Sequence, residues 1–256
     1  MTLRGIDVSR WQGDINWNTV KNAEKIDFAI LQAGYGRDIS QKDPTFEKNY
    51  KGCKDNNIPV GAYWYSYATT VEDAIREANT CLEAIKGKQF EYPIYFDVEE
   101  SRQFALGKTA VSNIIKAFLD TVEKAGYWVG LYMSTSYLLN YVTEDIRKRY
   151  AIWCAEYASK CSYGGQYAMW QYSVAGHGEW DLVNKKYVAG VQGQCDLDYC
   201  YTDYPTAIKN AGLNGFKKAE TPKVNTPSPK AEVKKKTIEV ELKHEGVTYA
   251  GTLTEK

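Results

Sequence analysis

Histidine is almost missing from this chain: two among 256 residues are too few for a histidine-built zinc centre or a relay of imidazoles. Net charge is missing as well. Lys plus Arg equals Asp plus Glu at 32 each, which removes the basic excess that holds proteins on nucleic acid or anionic lipid. No apolar run approaches the roughly eighteen residues of a membrane helix, and mean hydropathy is -0.50, so membrane insertion is not expected. The six cysteines, Cys53, Cys81, Cys154, Cys161, Cys195 and Cys200, show no paired CxxC spacing for zinc. Free thiols are expected, with Cys195 and Cys200 close enough in sequence to raise the question of a bridge. EF-hand spacing and a phosphate loop are also absent.

Aromatic rings are abundant: 21 Tyr and 7 Trp supply amphipathic faces of the kind that pack on sugars. Short apolar segments recur at 4–8, 27–34, 58–65, 92–98, 127–133, 150–154, 168–172 and 194–199, and helix-like stretches lie around 17–25, 44–56, 71–86, 108–125 and 135–149. The helical period is clear through Ala74, Ala78, Leu82 and Ile85 and through Ile114, Ile115, Phe118, Leu119 and Val122. Five βα units in succession, with eight strands in all, predict an α/β fold closed as a TIM-like β/α barrel. The helices stop after Trp153, so the last strands are expected to be antiparallel or irregular.

Residues 1–214 read as this domain. Residues 215–236, rich in Pro and Lys, read as a linker. Residues 237–256 alternate Ile238, Val240, Leu242 and then Val247, Tyr249, Leu253 around a turn, which predicts a β-hairpin. An isolated hairpin is marginal in water, so this one is expected to serve self-association, with attachment to a polymeric target as the competing use.

Chemistry concentrates in Tyr92-Pro93-Ile94-Tyr95-Phe96-Asp97-Val98-Glu99-Glu100, an apolar strand that ends in acids. Period two places Asp97 and Glu99 on one side, and the C-terminal end of a barrel strand opens on the mouth where such folds do their chemistry. A negative Asp97 and partial desolvation would raise the pKa of Glu99 until it holds a proton to donate. Capping of a following helix is the ordinary alternative. Asp7 ends the first strand and Asp196 lies in the last, its neighbour in a closed barrel, so four carboxylates are expected at one mouth. An all-oxygen metal site is the rival use; none is expected, nor any cofactor. Candidate sugar platforms at strand ends are Tyr63, Tyr65, Tyr132, Trp153, Tyr157, Trp170 and Gln171, each with a place in the core as its alternative. Gly34-Tyr35-Gly36 and Gly176-His177-Gly178 read as turns, His177 as a surface residue.

Six segments in order carry a resemblance: Gly5-Ile6-Asp7-Val8-Ser9-Arg10-Trp11-Gln12-Gly13, Gly61-Ala62-Tyr63-Trp64-Tyr65, Pro93 to Glu99, Trp153-Cys154-Ala155-Glu156-Tyr157, Met169-Trp170-Gln171-Tyr172 and Asp196-Leu197-Asp198-Tyr199. Over residues 3 to about 216 the chain resembles the glycoside hydrolase family 25 lysozymes, N-acetylmuramidases of the bacteriophage endolysin and bacterial autolysin type. That resemblance implies a flattened β/α barrel with irregular last strands. It also implies catalytic carboxylates at Asp7, Asp97, Glu99 and Asp196, and hydrolysis of the β-1,4 bond between N-acetylmuramic acid and N-acetylglucosamine in peptidoglycan. Glu99 is then the general acid, Asp97 orients the substrate's acetamido group, and Asp7 and Asp196 tune the charge. A silent peptidoglycan-binding module and a glycosidase of chitin-like polymers are the rival functions. No signal-peptide h-region precedes Gly5, so a cytoplasmic protein that acts at the cell wall after release is expected, with a holin as export partner if a phage encodes it.

Overall fold

The computed structural model describes residues 2–175, 187–218, 237–244 and 246–254. Eight strands close a barrel in sequence order: β1 (Leu3–Val8), β2 (Phe28–Tyr35), β3 (Val60–Tyr65), β4 (Ile94–Asp97), β5 (Val129–Ser134), β6 (Ala151–Ala155), β7 (Met169–Ala175) and β8 (Cys195–Cys200). Neighbours from β1 to β7 run parallel. Strand β8 runs against both β7 and β1. The connection from β6 to β7 contains no helix yet still returns the chain in parallel, so the change to antiparallel comes one strand later, at β8.

Helices α1 (Trp17–Thr19), α2 (Phe46–Asp55), α3 (Val71–Ile85), α4 (Ser101–Phe104), α5 (Lys108–Lys124), α6 (Thr135–Tyr141), α7 (Glu144–Arg149) and α8 (Tyr204–Ala211) accompany the strands. Helix α3 starts where the Thr70 hydroxyl accepts from Asp73 N, and it buries Ala74, Ala78, Cys81 and Ile85. Helix α5 buries Ile114, Ile115, Phe118, Leu119 and Val122; Phe118 stacks on Phe96 of β4 with ring centroids 3.9 Å apart. That contact sets the phase of β4. With Phe96 packed outward, Tyr95 and Asp97 turn into the barrel.

The helical stretch expected over 135–149 breaks into α6 and α7, since Val142 is extended and buried while Thr143 N donates to Ser112 Oγ of α5. Helix α8 follows an N-capping Asp203 with Pro205 in its first turn and ends at Gly212, φ 68°. Its Tyr204 and Ile208 join Phe28, Tyr92, Tyr95 and Met169 in the inner aromatic cluster. Packing on that cluster continues through Phe216, two residues past the expected domain end, and Gln89 Nε2 donates to Gly215 O. The rest of the expected linker, 219–236, lies outside the described residues, as does His177.

All six cysteines are free and buried. Cys195 and Cys200 stand at opposite ends of one extended strand, about 16 Å apart at the usual rise per residue, so they do not bridge. Residues 1–219 and 220–256 form separate compact units. In the second, β9 (Thr237–His244) and β10 (Val247–Thr254) pair antiparallel from Val247 opposite His244 to Thr254 opposite Thr237. Gly246 takes φ 82° in the turn, and Ile238, Val240 and Val247 are exposed. The side chains of Leu242, Tyr249 and Leu253 lie outside the described set.

Candidate active site

A cavity of about 200 Å³ opens at the end of the barrel where the parallel strands finish and the antiparallel β8 begins. Its acids are Asp7, Asp97, Glu99 and Asp196, and its walls are Trp11, Gln32, Tyr63, Tyr65, Tyr132, Trp153 and Gln171. Strand pairing explains the convergence. Asp7 faces Asp196 across the antiparallel β1–β8 pair, while Asp97 stands between Tyr65 on β3 and Tyr132 on β5. Tyr63 and Tyr65 are two residues apart on β3, so both point inward.

Two groups of carboxylates differ in their surroundings. Asp97 is buried, and its Oδ1 has no hydrogen-bond partner; burial, then the charge of Glu99, hold it well above the usual carboxylate range. Glu99 lies just past the end of β4, open to solvent through the mouth but enclosed by protein elsewhere. Burial first, then the charges of Asp196 and Glu100, push its pKa up to about 6. Glu100 is turned away by Tyr65, whose hydroxyl donates to Glu100 Oε1 at 2.9 Å.

The second group is wrapped in donors. Gln171 Nε2 donates to Asp7 Oδ2 at 2.9 Å, and Tyr132 donates its hydroxyl to Gln171 Oε1 at 2.8 Å. Tyr157 donates to Asp196 Oδ1 at 2.9 Å, and the indole of Trp153 donates to Asp198 Oδ1 at 2.8 Å. Asp198 is fully buried beside Asp7 and its Oδ2 receives no protein donor, so one proton held between the two carboxyls would serve both. Burial, then neighbouring acids, raise Asp7 and Asp198 well above the usual range, whereas Asp196 rises to about 6 through burial against the lowering effect of Tyr157. Among the described residues, no group of three or more His, Cys, Asp or Glu side chains is arranged to hold a metal ion.

Most of the expected site residues come together. Tyr157 stands beside the cavity through its bond to Asp196. Trp170 does not belong there, and that expectation is corrected. It occupies the outer side of β7, 6% exposed, packed near Tyr172 and Tyr199, with its indole donating to Glu156 O at 2.8 Å. On a pleated strand Gln171 takes the inward position and Trp170 the outward one. Asp198, Trp11 and Gln32 were missed as site residues. The available signal for Asp198 was its i, i+2 spacing from Asp196, which puts both on one face of β8.

A closed barrel whose mouth holds an acid pair between aromatic walls has the build of a glycoside hydrolase. The chain belongs to Glycosyl hydrolases family 25, whose sequence profile matches residues 6–179. It is 26% identical over 197 residues to the autolytic lysozyme of Clostridium acetobutylicum, covering 77% of this chain and 55% of that protein. It is 27% identical over 203 residues to YegX of Escherichia coli K12, covering 77% of this chain and 69% of that one. Among solved structures it is similar to the modular autolysin LytC of Streptococcus pneumoniae, determined with a synthetic peptidoglycan ligand: TM-score 0.67, 28% identity, 78% of this chain and 47% of LytC. The chain thus spans about half the length of two of these three relatives.

Proposed function

We propose that this chain is a lysozyme that cleaves the β-1,4 bond between N-acetylmuramic acid and N-acetylglucosamine in bacterial peptidoglycan. The observation that carries this reading is the pairing of a proton-holding Glu99 with a buried Asp97 whose Oδ1 has no protein partner, inside an aromatic cleft. With a pKa of about 6, Glu99 keeps part of its population protonated near neutrality and delivers that proton to the glycosidic oxygen. The orphan oxygen of Asp97 suits an N–H donor from the substrate, and the 2-acetamido group supplies one. Held so, the acetamido oxygen is placed to assist departure of the leaving sugar. Asp7 and Asp196 act on the charge of the cleft, and Tyr63, Tyr65, Tyr132 and Trp153 pack against the sugar faces. The autolysin and lysozyme relatives support the choice of polymer.

Cell wall digested with the protein should yield new reducing ends of muramic acid. Glucosamine ends would favour the chitin-type glycosidase, and an absence of new ends would favour a silent binding module. The protein acts at the wall, reached by holin-dependent release if a phage encodes it. The hairpin at 237–256, with exposed Ile238, Val240 and Val247, serves self-association that brings several barrels to one polymer. Light scattering of the full chain against a chain ending at residue 216 tests this: two monomers at micromolar concentration would leave wall binding as its use.

A further inference from the structure

Outside the cleft, one arc of the barrel mouth carries two guanidinium groups laid on aromatic rings. It starts at Trp11, a wall residue of the cavity that is 77% exposed. An exposed Trp is ordinarily mobile, but the turn beneath this one is fixed. Ser9 N donates to Gln12 Oε1, Gln12 Nε2 donates to Gln194 O, and Arg10 N donates to the buried Asp43 at 2.9 Å. The Arg10 guanidinium lies over Trp11 at 4.9 Å and over Tyr35 at 5.3 Å. Tyr35 meets Tyr67 edge-on at 5.9 Å, Tyr67 meets Tyr65 at 5.2 Å, and Arg102 sits 5.0 Å over Tyr67. Tyr65 returns the arc to the cavity wall.

The charges are not used up locally. Arg102 has Glu100 at 3.7 Å and Arg37 is paired with Asp73; Arg10 enters no ion pair within 4.0 Å among the described residues, its guanidinium meeting the Tyr35 hydroxyl and the more distant charge of Asp43. A guanidinium carries five N–H donors, so a bond to the Tyr35 hydroxyl leaves others for the fork that fits a carboxylate. Beside it the cavity gathers Asp7, Asp97, Glu99 and Asp196 and no cationic side chain, so an acidic group of the substrate finds its counter-charge on the arc.

We propose that the arc formed by Arg10, Trp11, Tyr35, Tyr67 and Arg102 is a binding site for the acidic peptide that muramic acid carries on its lactyl group. This rests on the lysozyme reading above. The cleft takes the glycan, the rings take the apolar stem side chains, and Arg10 takes a stem carboxylate. The arc therefore sets which sugar of the strand bears its peptide on this side of the mouth, and makes the enzyme prefer strands whose stems are intact.

The test uses the full chain and two substrates: purified glycan strands with stems, and the same strands after an amidase has removed them. The readout is the ratio of kcat/KM on the two, followed by reducing-end release. Arg10→Ala and Arg10→Gln should each lower that ratio about tenfold, Arg10→Lys should lower it less, and raising salt to 0.5 M should shrink the parent's ratio. A ratio within twofold of the parent's in both Arg10→Ala and Arg10→Gln, or a salt-independent parent ratio, overturns the proposal. Equal losses on both substrates also overturn it, since Arg10 would then only support Trp11. A parent that releases no muramic acid ends from either substrate refutes the lysozyme reading instead.

Discussion

The two sides of the cleft floor differ in the protein donors their carboxylates receive. At the end of β4, Asp97 Oδ1 is an orphan and Glu99 has no hydrogen-bond donor among the described residues; Glu99 raises Asp97, whereas Glu99 is itself raised by burial, Asp196 and Glu100 rather than by the expected Asp97. Asp7, Asp196 and Asp198, on the antiparallel β1–β8 pair, are gripped by Gln171, Tyr157 and Trp153. A protein donor on a carboxylate fixes its posture and takes up part of its accepting capacity, whereas a buried one with no donor costs stability until a substrate arrives. On the proposed reading, reaction belongs to the β4 side and field and posture to the β8 side.

The comparison breaks most sharply at Glu99. Glu99→Gln keeps the shape and removes the proton, so wall lysis should fall about 10²- to 10⁴-fold with folding intact; a folded variant that clears walls at the parent rate ends this assignment. Asp97→Asn replaces the unsatisfied acceptor by an amide, and a loss of about 10²-fold in kcat is expected, read on soluble muropeptide. The pH profile distinguishes the two sides next. Because Glu99 must be protonated, activity should decline as pH rises through about 6. Asp196→Asn removes a charge that raises Glu99, so the alkaline limb should move to lower pH, by roughly one unit or less.

Asp198→Asn probes the shared proton. Its amide still accepts from Trp153 and now donates to Asp7. The sign follows from linkage: a carboxyl raised in the folded state binds more protons there than when unfolded, so stability falls as pH climbs from the unfolded pKa of about 4 toward the folded one. Removing one such group should raise the melting temperature at pH 7 by a few degrees and flatten its decline with pH. An unchanged melting curve would mean that Asp7 and Asp198 share no proton. The smallest effect is expected for Tyr157→Phe. Losing the donor to Asp196 raises the Asp196 pKa further, weakens its charge near pH 6, and shifts the Glu99 limb downward by roughly a few tenths of a unit. A shift upward would reverse the coupling described here.

Periodicity made the barrel readable. Apolar runs separated by 3.6-period stretches have few ways to bury both faces of a sheet; the expected end of helices after Trp153 held for the β6–β7 and β8 connections only in part, since β7 is still parallel and α8 follows β8. The break between α6 and α7 was not readable, because a hydrogen bond from Thr143 N to Ser112 on α5 decides it. Helix α8 carried its own signals, Asp203, Pro205 and Gly212, in a segment too short for its period to stand out.

At the site, residue type and spacing by themselves determined that Asp97 and Glu99 stand together at a strand end and that Asp7 and Asp196 lie on the first and last strands, since alternation within a strand is a local property of the backbone. Only the tertiary structure decided which neighbour of each aromatic pair faces inward. Gln171 rather than Trp170 enters the cleft because Trp170 finds Tyr172, Tyr199 and a carbonyl acceptor on the outside. Closure of β8 onto β1 likewise brought Asp198 to Asp7 and Gln12 to the 194 carbonyl, contacts between residues nearly two hundred positions apart. Such contacts depend on barrel register, and register is set by the packing of whole faces rather than by any single segment.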